Sequence, residues 1–138
     1  MRRFRFPLLP DAVRWLGVLA CLAVITYFSL VTVTPGPSHP GPLWDKKLHF
    51  SAYFGLGLAL AYATVDRVAP RTRRVVLVFV AAVCFGVLIE LLQGPLPNRD
   101  FSYLDMVADA IGALLATGWF LVETRLQYVP VWWSVDDH

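Results

Sequence analysis

The sequence predicts an all-α polytopic membrane protein, a bundle of four transmembrane helices forming a single membrane domain over residues 1–138. Three observations predict it. Of 138 residues, 57% are hydrophobic and only 16% are charged, against about 25% charge in an ordinary soluble domain. Four apolar segments reach the roughly 17–25 residues that a bilayer crossing needs. The links between them are short and rich in proline, glycine or arginine. A soluble fold of this size keeps too much of its surface wet to hide such a composition, and a disordered chain is far less hydrophobic. A net charge of +2 points away from a nucleic-acid partner.

The expected spans cover about 13–33, 48–65, 75–93 and 104–122. The first carries one charge, Arg14, at its start. Arg2, Arg3 and Arg5 precede it in the manner of a secretory signal. Its apolar run of about 20 residues is longer than the 7–15 of a signal core, so a retained helix is expected, and Arg2-Arg3 is a weak twin-arginine signal. Thr34 to Trp44 reads TPGPSHPGPLW, which cannot be helical and is expected to run extended. Its His39 is expected to be a solvated loop residue. Asp66 to Arg74 is a basic turn, and Gly94 to Tyr103 opens with Gly-Pro, which stops the third helix. Val131-Trp132-Trp133 in the tail suits a headgroup-level anchor. Cys21 and Cys84 lie inside apolar runs in no redox or metal spacing, so both are expected to pack as small apolar groups.

Basic residues set the orientation. Four crossings put Arg2, Arg3, Arg5, Arg14, Arg67, Arg71, Arg73, Arg74 and Arg125 on one side, and Lys46, Lys47 and Arg99 on the other. The positive-inside rule then places both termini in the cytoplasm.

On that topology the polar residues of the spans converge at the outer end. Asp45, Lys46 and His49 begin the second helix, Glu90 and Gln93 end the third, and Asp105 and Asp109 begin the fourth, with Arg99 in the outer link. Asp45, His49 and Tyr53 stand at i, i+4 and i+8, on one stripe. Acidic residues in an apolar zone cost a few kcal/mol unless they face protein or water. Beneath them, Gly55/Ala59/Ala63, Ala82/Gly86 and Gly112/Ala116 recur every four positions and permit close helix packing. The first helix has no polar face and is expected to shield the bundle or contact lipid. The expected ligand-binding set is Asp45, Lys46, His49, Tyr53, Glu90, Gln93, Arg99, Asp105 and Asp109, in a pocket between the second, third and fourth helices.

Four short motifs in order, Asp45-Lys46-Lys47-Leu48-His49-Phe50 with Tyr53, Glu90-Leu91-Leu92-Gln93, Pro97-Asn98-Arg99, and Ser102-Tyr103-Leu104-Asp105-Met106-Val107-Ala108-Asp109 with Gly112, resemble the VanZ-like family of bacterial membrane proteins. The resemblance covers about 45–118. It implies a multi-pass protein of the bacterial cytoplasmic membrane, associated with teicoplanin and glycopeptide resistance, with no agreed molecular activity and no catalytic residue to carry over. The family pattern carries Asn where this chain has Asp109. An amide-like role there would require Asp109 to be protonated or paired with Lys46, Lys47 or Arg99.

Three functions compete. The first is a cell-envelope protein whose outward pocket binds a lipid headgroup, a lipid-linked cell-wall precursor or a glycopeptide, with Lys46, Lys47 and Arg99 holding phosphate. The second is a small membrane enzyme, a hydrolase or transferase acting on a lipid-linked substrate. His49 would be its base, oriented by Asp45, and Glu90 or Asp109 its acid. No serine or cysteine sits at a credible nucleophile position, since Ser51 at i+2 points away from His49. No metal motif of recognised spacing occurs, so neither metal nor cofactor is expected, although Asp105, Asp109 and Glu90 would suit Mg²⁺ or Ca²⁺. The third is a proton or ion pathway, which would need polar groups at several depths rather than at one end.

Overall fold

Prolines set the starts of two helices in this computed structural model, which describes residues 3–32, 38, 41, 43–66, 70–97, 99 and 101–131. Pro10 and Pro70 hold extended ψ values of 143° and 168°. Their carbonyls accept the first amides of α1 (Asp11–Thr26) and α3 (Arg71–Gln93). α2 spans Trp44–Ala63, α4 Tyr103–Ala116 and α5 Trp119–Glu123. Ser102 caps α4, its side chain accepting from the Asp105 amide at 3.3 Å, the usual use of serine at that position. Arg2, Arg67, His39, Asn98, Trp132 and Trp133 lie outside the described residues, as does most of the proline-rich link.

Three helical segments are long and apolar enough to cross a membrane: Asp11–Val31, Arg71–Gln93 and Tyr103–Glu123. α2 is as long as the others but is not among the three. Its first turn carries Asp45, Lys46 and Lys47, and its remainder includes His49, Ser51, Tyr53 and Tyr62 and no Val or Ile. The four rods run up and down between two polar ends, with the core at Tyr53, Leu56, Ala82, Ile89 and Ala113. Outward faces are apolar: Leu16, Leu19, Val76, Leu88, Leu114 and Leu121 are all exposed, the pattern of a lipid-facing surface.

Two of the four rods are not regular. The last turn of the first rod, Tyr27–Val31, widens to a π-helix, and the Thr32 amide donates to Tyr27 O at 3.2 Å. The fourth rod tightens at Thr117-Gly118, where ψ falls to −17° and −24°, values of a 3₁₀ step. The expected continuous helix over 104–122 is therefore two pieces, α4 and α5.

α2 and α4 make the closest approach. A Cβ on Gly57 would stand 2.5 Å from Ala116 Cβ, and one on Gly112 would overlap the Phe50 carbonyl oxygen. Of the expected stripe on α2, Ala63 is buried and Ala59 packs against the core, but Gly55 has nothing within 4 Å of its would-be Cβ among the described residues, and it is Gly57 that meets α4.

The terminal segments pair with each other. β1 (Phe4–Leu8) and β2 (Leu126–Pro130) form a two-stranded parallel sheet, with Phe6 opposite Tyr128. Parallel strands need a long crossover, and here the whole bundle supplies it. Phe6 lies edge-on to Tyr62, Trp119 and Tyr128, with centroids 5.6–6.0 Å away. Tyr62 donates to Pro7 O at 2.8 Å and accepts from the Leu9 amide at 2.9 Å. This aromatic cluster stands at one end of the rods, the place of an interfacial belt.

Burial pushes the Tyr128 hydroxyl up to about 12, while the Trp119 indole N–H, donating to it at 3.3 Å, opposes that rise. The folded state therefore prefers the neutral phenol. That preference is fully present below the ordinary tyrosine value of 10.0 and is lost as pH climbs through the folded value. Near-UV circular dichroism of the aromatic cluster is expected to weaken over about pH 10–12, and Tyr128→Phe should remove that part of the transition. An unchanged titration in Tyr128→Phe would refute the assignment.

The same end carries two buried arginines, each ion-paired. Arg14, 4% exposed, donates to Asp66 at 2.6 and 3.0 Å and to the carbonyls of Tyr62 and Ala63. Arg74 pairs with Glu123 at 2.9 Å and donates to Ala61 O at 2.8 Å. Both arginines donate to carbonyls at the C-terminal end of α2, where the regular i to i+4 ladder runs out.

Candidate functional site

The opposite end holds the chemistry. α2 and α4 contribute their first turns and α3 its last. The His49 Nδ1 and Asp109 Oδ1 atoms are 2.9 Å apart, which fixes the proton on Nδ1 when the carboxylate is ionised. His49 Nε2 faces Asp105 Oδ2 at 3.9 Å. Lys46 is ion-paired with Asp105 and lies 3.4 Å from Asp45. Glu90 Oε2 accepts the Ser102 amide at 3.0 Å, which ties α3 to the cap of α4.

Glu90 and Asp109 are 0% and 1% exposed, and Tyr53 beneath them 1%. Among the described residues, Glu90 Oε1, Asp109 Oδ2 and Tyr53 OH have no hydrogen-bond partner. Gly86 makes room for them. A Cβ there would come 2.9 Å from Asp109 Oδ2 and 3.2 Å from the Tyr53 ring. Gly86→Ala is therefore expected to displace Asp109 from His49, read as a shifted His49 imidazole resonance by NMR; an unmoved resonance would refute the contact.

The π-turn has a consequence at this end. It ends the first rod, whose last carbonyls have no following helical amide, and two side chains collect them. Gln93 Nε2 donates to Ser29 O at 3.0 Å, and Arg99 Nη2 donates to Phe28 O at 2.8 Å and to Thr32 O. Gln93 and Arg99 thus latch the first rod onto the site.

Two cavities adjoin here. One, of about 380 Å³, is an apolar groove lined by Val24, Ile25, Phe28, Leu48 and Ala52. The other, of about 340 Å³, is polar and adds Lys46, Ser102 and Asp105. They share Asp45, His49, Gln93 and Arg99.

All nine residues singled out in the sequence stand at this end, but several of their partners differ. The carboxylate that orients His49 is Asp109, not Asp45, whose side chain is 59% exposed. Asp109 pairs with His49 rather than with Lys46, Lys47 or Arg99. Arg99 is spent largely on carbonyls. The first rod is part of the pocket, lining the groove and accepting hydrogen bonds through its carbonyls, so the site is not confined to the other three helices. Sequence reasoning missed the roles of Ser29, Ser102 and the Phe28 carbonyl. For Ser102 a signal existed, a serine immediately ahead of an apolar periodic run with an acid three residues on. For the carbonyls there was none.

No protein-family model, curated protein or solved structure matches the chain.

Proposed function

We propose that the chain is a VanZ-like protein of the bacterial cytoplasmic membrane that binds an amphiphile and thereby modulates susceptibility to teicoplanin and related glycopeptides. It crosses the membrane four times, with both termini in the cytoplasm. The occupant is a lipid headgroup, a lipid-linked cell-wall precursor or the glycopeptide itself. The observation that carries the reading is the junction of the two cavities. A polar chamber adjoins an apolar groove, and four side chains, Asp45, His49, Gln93 and Arg99, line both. That combination suits a molecule with a polar head and an apolar tail.

Four crossings have their own support. α2 has 20 residues, about 30 Å at 1.5 Å each, the thickness of the hydrocarbon core. Two of its polar groups are paired within the protein, Lys46 with Asp105 and His49 with Asp109, so they need not face lipid. Among the described basic residues, Arg3, Arg5, Arg14, Arg71, Arg73, Arg74 and Arg125 belong to the end that bears the termini, which favours that end as cytoplasmic.

The test is growth inhibition by teicoplanin and vancomycin in a Gram-positive host carrying empty vector, the protein, Glu90→Gln or Val24→Trp, all matched for membrane expression. Val24 lines the groove and is 55% exposed, so a tryptophan there narrows the groove without entering the core. The protein is expected to raise teicoplanin tolerance, and both variants to lose that gain. Tolerance equal to vector in every strain would remove the antibiotic role. Tolerance kept by both variants would remove the site. A second reading has one specific observation behind it, because the His49–Asp109 pair is an oriented general base. Turnover of a lipid-linked substrate by the purified protein would favour it.

A further inference from the structure

We propose that His49, Glu90 and Asp109 form a binding site for a first-row divalent cation, such as Zn²⁺ or Mn²⁺. Three helices each bring one side chain, and each side chain presents one ligand atom within 4.8 Å of the other two. Two donors on a four-coordinate ion with bonds of about 2.1 Å lie about 3.4 Å apart, so small side-chain rotations close the site. One imidazole and two carboxylates make a mixed nitrogen and oxygen set, which favours these ions over the all-oxygen preference of Mg²⁺ and Ca²⁺.

Burial and unmet hydrogen bonds point to the same occupant. Glu90 Oε1 and Asp109 Oδ2 have no partner among the described residues, and both residues are at least 99% buried. The nearby ammonium, Lys46, is taken by Asp105. Two carboxylates held in an apolar interior need compensation, and one divalent ion supplies both the charge and the missing ligation. Glu90 is already positioned by the Ser102 amide, and the His49–Asp109 contact brings those two ligands together, its shared proton leaving when the ion binds. Gly86 keeps the floor open beside Asp109 and Tyr53. A neighbouring trio, Asp45, His49 and Asp105, is the weaker candidate. Asp45 is largely solvated, and Asp105 already holds Lys46. The spacing in sequence hides the site because the ligands come from 49, 90 and 109, each on a different helix.

This inference does not rest on the amphiphile reading, since metal content is measured with no ligand present. The full chain, purified in nanodiscs and stripped with chelator, is titrated with Zn²⁺ and with Mn²⁺. Metal retained after desalting is then counted by mass spectrometry. One ion per chain is expected. Glu90→Gln and Asp109→Asn are each expected to weaken binding by at least about 100-fold, the upper range for outer-shell losses, while Asp45→Asn retains it. Failure to retain either ion would overturn the proposal, as would loss in Asp45→Asn with full binding in the other two. X-ray absorption at the zinc edge of the unmutated protein covers the case in which a variant fails to fold. One imidazole and an oxygen shell are expected, and a sulfur shell from Cys21 or Cys84 would overturn the assignment.

Discussion

Gly112→Ala is expected to destabilise the protein by about 1–3 kcal/mol or more, the range for forcing extra atoms into a packed interior. The added methyl meets backbone rather than a side chain that could turn aside. It would overlap the Phe50 carbonyl oxygen and stand 3.0 Å from the Phe54 nitrogen. Relief requires α2 and α4 to separate along their tightest contact. Phe50 is adjacent to His49, and Asp109 lies one turn before Gly112, so separation also parts the His49–Asp109 pair. Unfolding of the purified protein in mixed micelles should show the lowered stability. Gly55→Ala is the control, because its methyl enters open space and the helix gains up to about 1 kcal/mol of propensity. Equal losses in the two variants, or none in Gly112→Ala, would show that close packing does not hold this interface.

That contrast explains what was legible in the sequence. Apolar run length marked the helices, because membrane spans advertise themselves by composition. Charge placement brought His49, Glu90 and Asp109 to one end, because antiparallel rods must juxtapose alternate termini. The choice between Gly55 and Gly57 was not legible. Both are small, and only the rotation of α2 about its axis decides which faces α4. The pairing of Asp109 with His49 rather than with a lysine depends on that same rotation. The π-turn at Tyr27–Val31 has no composition signature at all. Gln93 and Arg99 donate to carbonyls within it, contacts between residues more than 60 positions apart. The terminal strands escaped notice for a related reason. Phe4–Leu8 and Leu126–Pro130 are short, and each is a strand only because the bundle brings the other beside it.

The far end of the bundle makes the second large prediction. Arg74→Met is expected to cost about 3–5 kcal/mol, the penalty for breaking a buried ion pair from one side. Arg74 is 6% exposed and Glu123 8%. The guanidinium joins three elements, pairing with Glu123 at 2.9 Å, donating to Ala61 O at 2.8 Å and lying 4.9 Å from the Phe120 ring centre. Methionine keeps much of the packing volume but leaves a buried carboxylate without its counter-charge. If that stranded charge is the main penalty, removing it as well should restore stability, so Arg74→Met/Glu123→Met is expected to be more stable than Arg74→Met alone. Non-additivity of the two substitutions, by the 0.5–3 kcal/mol typical of contacting residues, measures the coupling. If the double variant is as unstable as Arg74→Met, the dominant loss is instead the hydrogen bond to Ala61 and the packing on Phe120. The guanidinium would then act chiefly as a cap for the C-terminal end of α2, and Arg14, which meets Tyr62 and Ala63 in the same way, should respond to substitution alike.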